Sequence, residues 1–240
     1  MIRSLKQLYG NQLGAADGQL GAVKDFYFDD RRWAVRYVVA DTGSWLTGRQ
    51  VLLSPHALGE IYQPGKLLLV NLTRQQIQDS PGLQTHQPVS RQFEESYCQY
   101  YGWPNYWVGD GLWGTTGFPT VVNPFPRKEP TAIEGGSHSG RAAAHLRSTQ
   151  AVAGYQIRAT DGIAGHVNDF MMDDKSWTIQ QLVIQTGHRL TGREIQIPTT
   201  LVERISYEES TVFVNLTLAE LSNLPTHELD ALGAAACVPN

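Results

Sequence analysis

The feature that most constrains this chain is a stretch of sequence that occurs twice. The first copy runs from Asp17 to Arg49, and the second runs from Asp161 to Arg193 at a constant offset and without a gap. Both contain the skeleton D-G-x-x-G-x-V-x-D-F-x-x-D-D-x-x-W, followed by T-G-x-x-L-T-G-R. An internal repeat fixes the architecture before any other pattern is considered, because each copy must fold in the same way. The chain of 240 residues is therefore predicted to contain two related domains.

Within each copy the residues alternate as they do in β-strands. In the segment 21–29, Phe26 and Phe28 fall on one face of the predicted strand, and Asp25 falls on the other. The Asp17-Gly18 pair before it is typical of a tight hairpin turn. Short strands separated by turns at intervals of about 8–12 residues indicate a small β-barrel or sandwich.

Changes in composition and period divide the chain into four segments. Each repeat ends with a Thr followed three residues later by Gln or Glu, which is the spacing of a capping box and predicts a short helix. A Pro, Gly, Ser and Ala-rich stretch indicates a linker between the repeats. The predicted segments are the first repeat (1–81), an aromatic insert with its linker (82–145), the second repeat (146–226) and a flexible tail (227–240).

The insert contains an unusual density of Tyr and Trp. Two interpretations are open: an aromatic strap that covers the end of one barrel or joins the two, or an exposed surface for a partner protein or an apolar ligand. No Lys or Arg lies between Glu94 and Thr120, and the net charge is -4, so nucleic acid is not an expected partner. The candidate interaction residues are Tyr97, Tyr100, Tyr101, Trp103, Tyr106, Trp107 and Trp113.

The acidic residues of the repeated stretch are predicted to serve the structure. The pairs Asp29-Asp30 and Asp173-Asp174 lie at predicted hairpin tips facing solvent, where turn formation is the expected role. A carboxylate within a strand needs a partner when its face is half-buried. We therefore expect two ion pairs that brace the sheets, Asp25 with Arg49 and Asp169 with Arg193.

No catalytic, cofactor-binding or metal site is predicted. The seven histidines are dispersed, and neither Cys98 nor Cys237 lies in a C-x-x-C spacing. Two free thiols are typical of a reducing compartment. We see no signal peptide and no apolar run of about 18 residues, so a cytoplasmic protein without a membrane span is expected.

The repeated motif, with its Val-rich strand and its L-T-G-R ending, resembles the PRC-barrel family. That family includes the cytoplasmic domain of the photosynthetic reaction-centre H subunit, the C-terminal domain of the ribosome maturation factor RimM, and stand-alone bacterial proteins with two copies. The insert sequence Y-Y-G-W-P-x-Y-W at 100–107 is similar to the middle of such two-copy members. The resemblance implies a mainly β protein: two tandem small antiparallel barrels, each with a short C-terminal helix, joined by an aromatic-rich and largely irregular linker.

The resemblance also implies function through contact rather than catalysis. The first hypothesis is a non-enzymatic interaction or scaffold protein that binds an unidentified partner subunit, through which it could associate peripherally with a membrane. Its repeats are expected to pair within the chain or in a homodimer, because a barrel of about 80 residues has a marginal core. The alternative is a sensor that holds an apolar small molecule, such as a quinone or tetrapyrrole, near the aromatic insert.

Overall fold

The computed structural model of the chain describes residues 1–46, 49–62, 67–84, 89–120, 146–187, 193–224 and 226. The fold is mainly β, as predicted. The predicted linker residues 121–145 and the predicted tail 227–240 lie outside the described residues.

The elements follow one another as short strands with few helices. The strands are β1 (Ile2–Ser4), β2 (Gln12–Ala15), β3 (Gly18–Asp29), β4 (Ala34–Asp41), β5 (Arg49–Leu53), β6 (Leu58–Tyr62), β7 (Leu67–Val70), β8 (Leu83–Gln84), β9 (Leu146–Ser148), β10 (Gln156–Ala159), β11 (Gly162–Asp173), β12 (Thr178–Thr186), β13 (Glu194–Pro198), β14 (Val202–Ser206) and β15 (Thr211–Val214). The α-helices are α1 (Arg74–Asp79), α2 (Arg91–Tyr101), α3 (Thr149–Val152) and α4 (Leu218–Ser222), and short 3-10 helices span Lys6–Leu8, Pro55–Ala57 and Thr199–Leu201.

The two repeats give the same succession of elements. Strands β2 to β7 and helix α1 in the first repeat correspond to β10 to β15 and α4 in the second. The order across the sheet is also the same, β6-β7-β2-β3-β4-β5 and β14-β15-β10-β11-β12-β13. Strands β2 and β7 run parallel to each other, and so do the equivalent strands β10 and β15. The neighbours on their other sides are antiparallel, as in β2 with β3 and β10 with β11.

The second glycine of the repeated motif allows the close approach of two strands. Gly21 has φ of +146°, and a Cβ atom there would lie 2.0 Å from the carbonyl oxygen of Asp41. Gly165 has φ of +157°, and its Cβ atom would lie 2.1 Å from the carbonyl oxygen of Gln185. Since residues with a side chain rarely adopt this conformation, the motif requires glycine at both positions.

Both predicted capping boxes are present. The Thr73 hydroxyl accepts from the Gln76 N–H at 3.1 Å, and the Gln76 side chain accepts from the Thr73 N–H at 2.8 Å. Thr217 and Glu220 form the same reciprocal pair at the start of α4. The first Asp of the repeated motif adds a further bond, because the Asp17 carboxylate accepts from the Arg74 N–H at 2.7 Å. Local hydrogen bonding therefore explains where each short helix begins.

Two compact units make up the fold, and their borders do not coincide with the repeats. The first unit comprises Met1–Ala153 and Phe170–Gln180, and the second comprises Gly154–Asp169 and Gln181–Asn240. The tip of the hairpin formed by β11 and β12 thus belongs to the first unit. The predicted boundaries at residues 81 and 145 follow the sequence pattern, whereas the units follow the strand pairing.

The first unit contains a reciprocal exchange of short strands. Strand β1 pairs with the end of β11, with Ile2 opposite Asp173, and β9 pairs with the end of β3, with Leu146 opposite Asp29. Ile2 and Leu146 occupy equivalent positions of the two repeats, as do the tips that they meet. Each N-terminal strand therefore completes the hairpin of the other repeat.

Ion pairs accompany this exchange and correct the prediction that the Asp pairs face solvent. Arg3 contacts Asp174 at 2.6 Å, and the equivalent Arg147 contacts Asp30 at 2.5 Å. The predicted turn role holds for the first Asp of a pair, since Asp29 accepts from the backbone N–H groups of the residues that follow it. The second Asp of each pair instead binds the exchanged strand. Part-buried pairs of this kind are screened less by salt than exposed ones.

Candidate functional site

Among its described residues the insert contains one α-helix, and residues 102–120 after it form turns, bends and an isolated bridge. Helix α2 starts after Ser90, whose hydroxyl accepts from the Phe93 N–H at 3.2 Å, and it ends at Gly102. Its buried face carries Glu94, Tyr97, Cys98 and Tyr101, which recur at the three- and four-residue spacing of a helix. The helix therefore delivers one acidic and two aromatic side chains to the interior.

Most of the predicted interaction residues are buried, so together they do not form an exposed docking surface. Tyr97, Tyr101, Trp103, Tyr106 and Trp113 are each 5% exposed or less, whereas Tyr100 and Trp107 are half-buried. Tyr101 stacks on Trp103 with ring centroids 4.3 Å apart. The Tyr97 hydroxyl donates to the Leu52 carbonyl of β5 at 2.6 Å. Residues 93–113, called the aromatic cap below, thus pack onto the first repeat.

A buried carboxylate organises the cap. Glu94 is fully buried and accepts from the Tyr106 hydroxyl at 2.6 Å and from the Tyr37 hydroxyl at 3.2 Å. Its other oxygen contacts the Arg91 guanidinium at 3.1 Å. Burial, together with the nearby Glu94 charge, raises the pKa of both tyrosine hydroxyls well above the usual range. The hydroxyls therefore remain protonated and act as hydrogen-bond donors to the carboxylate.

A buried cation joins the cap to strand β4. The Arg36 guanidinium lies over two rings, with Cζ 3.9 Å from the Tyr106 centroid and 4.8 Å from the Trp113 centroid. It donates to the Leu112 carbonyl at 2.7 Å and lies 3.5 Å from the Asp29 carboxylate. A desolvated cation over aromatic rings is worth about 2 kcal/mol. Sequence reasoning missed Arg36, although a single charged residue inside an apolar strand was a visible signal.

His56 lies against the same cap and has a defined tautomer. Its Nδ1 is 2.8 Å from the Thr120 carbonyl oxygen, and its ring contacts the rings of Trp103 and Trp113. A carbonyl oxygen only accepts hydrogen bonds, so Nδ1 carries the proton in the neutral ring. Burial lowers the pKa of His56, which keeps the ring neutral. His56 therefore acts as an aromatic packing residue in this structure.

Asp25 lies in the interior, but the structure does not bring it to Arg49. Asp25 accepts hydrogen bonds from the Ser148 hydroxyl at 2.5 Å, the Thr149 hydroxyl at 2.9 Å and the Gln150 N–H at 3.1 Å. Ser148 is the last residue of β9, one of the exchanged strands, and Thr149 and Gln150 follow it directly. The expectation of a partner for the carboxylate holds, while the partner is the start of the second repeat.

The two arginines predicted as braces bind the ends of the short helices. Arg49 donates to the carbonyl oxygens of Ile77 at 3.1 Å and Ser80 at 2.5 Å, at the end of α1. Arg193 donates to the Ser222 carbonyl at 3.2 Å, at the end of α4. Cations are favoured there because carbonyl groups at a helix C-terminus lack partners. Asp169 is buried.

A small charged cleft lies beside the cap. It has a volume of about 150 Å³ and is lined by Asp29, Arg31, Arg32, Arg91, Tyr106 and Trp107. Arg91 stacks on Trp107, with Cζ 4.0 Å from the ring centroid, and Arg32 donates to the Gly111 carbonyl at 2.5 Å. We call this the arginine cleft. Arginine groups next to aromatic rings can bind an anion, whereas they cannot supply or remove a proton near neutral pH.

Two further observations bear on the predicted chemistry. Among the described residues, no group of three or more His, Cys, Asp and Glu side chains is placed to hold a metal ion. Within the same ranges, none of the helices is long and apolar enough to cross a lipid bilayer.

In comparisons with known proteins, the chain matches no family model and no curated protein.

Proposed function

We propose that this chain is a non-catalytic, cytoplasmic interaction protein of the PRC-barrel type, with one small barrel in each repeat, and that it binds a partner protein. The observation that carries the proposal is the orientation of the aromatic cap. The cap turns its rings inward, and its outer loop leaves Val108 59% exposed next to the half-buried Trp107. The Trp, Tyr and Arg side chains of the adjacent cleft are the types enriched in interaction hot spots, and Val108 follows Trp107 directly in the chain.

The bonding within the cleft supports binding rather than catalysis. General acid–base catalysis needs titratable groups that converge on a substrate and are available for proton transfer. Here the Tyr106 hydroxyl is held by Glu94, and Asp29 accepts from backbone N–H groups and faces Arg36. These groups serve the cap and the hairpin tip. The charged rim that remains is suited to recognition.

The same geometry gives less support to an apolar-ligand sensor. Pockets for such ligands have volumes of about 300–1,000 Å³ and mostly apolar walls. The arginine cleft is about half the lower value, and four of its six lining residues are charged. The rings of Tyr97, Tyr101 and Trp103 contact one another.

The strand exchange within the first unit also supports pairing of the repeats inside one chain.

Affinity capture with surface variants tests the proposal. Wild-type protein, Val108→Asp and Leu69→Asp would be immobilised, and proteins retained from the native host would be quantified by mass spectrometry. Leu69 is a matched control, because it is 50% exposed on β7. We expect a stoichiometric protein that Val108→Asp loses and Leu69→Asp retains. Equal recovery by all three proteins, or no recovery by wild type, would refute the proposed surface.

A further inference from the structure

The arginine cleft has the charge and shape of a site for a small anion. Three of its lining residues are arginines, and one, Asp29, is a carboxylate. Asp29 is directed away from a ligand role, because one of its oxygens accepts from the backbone N–H groups of Arg31 and Arg32 at 3.0 and 3.4 Å. Its other oxygen faces the buried Arg36 at 3.5 Å. The charge of the Asp29 carboxylate is therefore neutralised by Arg36, which is not a lining residue, and the three guanidinium groups give the cleft a net positive charge.

Two of these arginines keep donors for a ligand. Within the described residues, no hydrogen bond or ion pair engages the Arg31 side chain, and the Arg32 guanidinium contacts a neutral carbonyl, that of Gly111. Each guanidinium carries five N–H donors in a planar fork that matches phosphate or carboxylate oxygens. A large part of this donor capacity is available to a ligand in the cleft.

The third arginine is held in place before any ligand arrives. The Arg91 Cζ atom lies 4.0 Å from the Trp107 ring centroid and 5.4 Å from the Tyr106 ring centroid. The guanidinium group also forms an ion pair with the buried Glu94 at 3.1 Å. Arg91 is also the first residue of α2, an eleven-residue helix whose positive N-terminal end borders the cleft. Ordering a side chain in advance reduces the entropy cost of binding.

We propose that the arginine cleft binds a phosphoryl group, either as free phosphate or as a phosphate monoester on another molecule. Four arginines, counting Arg36, face two carboxylates, those of Asp29 and Glu94, which leaves a local charge of about +2. That charge complements the ~-1.5 to -2 of a phosphate monoester near pH 7 better than the single charge of a carboxylate. The volume of about 150 Å³ suits one phosphoryl group. The site would bind free phosphate without a protein partner, so the inference goes beyond the proposed function.

The second repeat provides an internal comparison. At the positions equivalent to Arg31 and Arg32 it has Lys175 and Ser176, and the Ser176 hydroxyl donates to Asp173 at 2.7 Å. Its tip therefore has one cation where the first repeat has two. Lys175 is exposed and belongs to none of the residues that line the cleft, so it serves as a control for charge alone.

Titration calorimetry with inorganic phosphate, and separately with a short phosphoserine peptide and its unphosphorylated form, tests this site at constant ionic strength. We expect saturable binding of phosphate, a weakening of tenfold or more in Arg31→Gln and in Arg31→Gln/Arg32→Gln, and a change of less than twofold in Lys175→Gln. Circular dichroism melting of each variant verifies folding, and the exposed position of Arg31 makes this variant the safest one.

The two phosphate sources give separate outcomes. Tighter binding of the phosphopeptide than of inorganic phosphate, lost in Arg31→Gln, supports a phosphorylated partner, while equal affinity supports free phosphate as the ligand. Absence of saturable binding of either probe at up to about 10 mM overturns the inference, since such affinity is below ~3 kcal/mol. Equal binding by wild type and Arg31→Gln also overturns it. Neither readout depends on Val108, so failure here and failure of the partner proposal are distinguishable.

Discussion

Replacement of Asp25 should destabilise the protein strongly, because this carboxylate holds the start of the second repeat. In Asp25→Ala the Ser148 hydroxyl and the Gln150 N–H lose this acceptor, and the Thr149 hydroxyl keeps the Phe26 carbonyl at 3.2 Å. Hydrogen bonds to a charged group contribute about 1.5–3 kcal/mol each, and two of these donors are partly exposed, so about 1.5 kcal/mol applies to each. We expect the free energy of unfolding to fall by roughly 4 kcal/mol. Asp25→Asn, which keeps one acceptor oxygen, should lose about half as much.

Equilibrium urea unfolding followed by tryptophan fluorescence measures these losses. A double-mutant cycle of Asp25→Ala with Thr149→Val isolates their contact, because the Thr149 side chain is fully buried and Val retains its shape. Contacting pairs couple by about 0.5–3 kcal/mol, and we expect a coupling of about 1.5 kcal/mol. The control cycle pairs Thr149→Val with Asp79→Ala, whose carboxylate binds Gln75 and shares no partner with Thr149. A coupling no larger than that of the control would refute the reasoning.

Three further predictions follow from the strands and the cap. Gly21→Ala should lower the free energy of unfolding by more than about 3 kcal/mol, because its Cβ atom would lie 2.0 Å from the Asp41 carbonyl oxygen; an unchanged urea midpoint would contradict this. Because burial lowers the pKa of His56, the unfolded chain takes up this proton first as the pH falls through about 6.5, so wild type should lose stability below that pH faster than His56→Gln; parallel melting curves would count against it. Burial raises the pKa of the Cys98 thiol to about 12, so in a Cys237→Ser background Ellman's reagent should label it at the rate of unfolding, and fast native labelling would argue otherwise.

The features that depend on local sequence were predictable. The capping boxes at Thr73 and Thr217 and the turn role of Asp29 depend on neighbours within a few positions. Helix α2 was predictable by the same means, because Ser90 begins it and its buried positions recur at helical spacing.

The features that depend on distant pairing were not predictable. A requirement for a partner at Asp25 follows from its sequence neighbours, whereas its partner Thr149 lies 124 residues further along the chain. The buried charges Arg36 and Glu94 also have partners that are distant in sequence. Arg36 of β4 packs under the Tyr106 ring of the cap, and Glu94 of the cap accepts from the Tyr37 hydroxyl of β4. A single charged residue within an apolar segment indicates that a partner exists, but its identity requires the tertiary structure.

The exchange of β1 and β9 determines how the chain responds to cleavage. A fragment that ends at Thr120 would leave the β3 edge at Tyr27–Asp29 open, and a fragment that begins at Leu146 would leave the β11 edge at Met171–Asp173 open. Each open edge is the template for the strand that the other fragment carries. A chain cut once between Thr120 and Leu146 should therefore persist as a complex of two fragments, and the separated fragments should reassemble when mixed. In the uncut chain the covalent link raises the local concentration of the two halves. The exchanged strands β1 and β9 determine which edges they pair with.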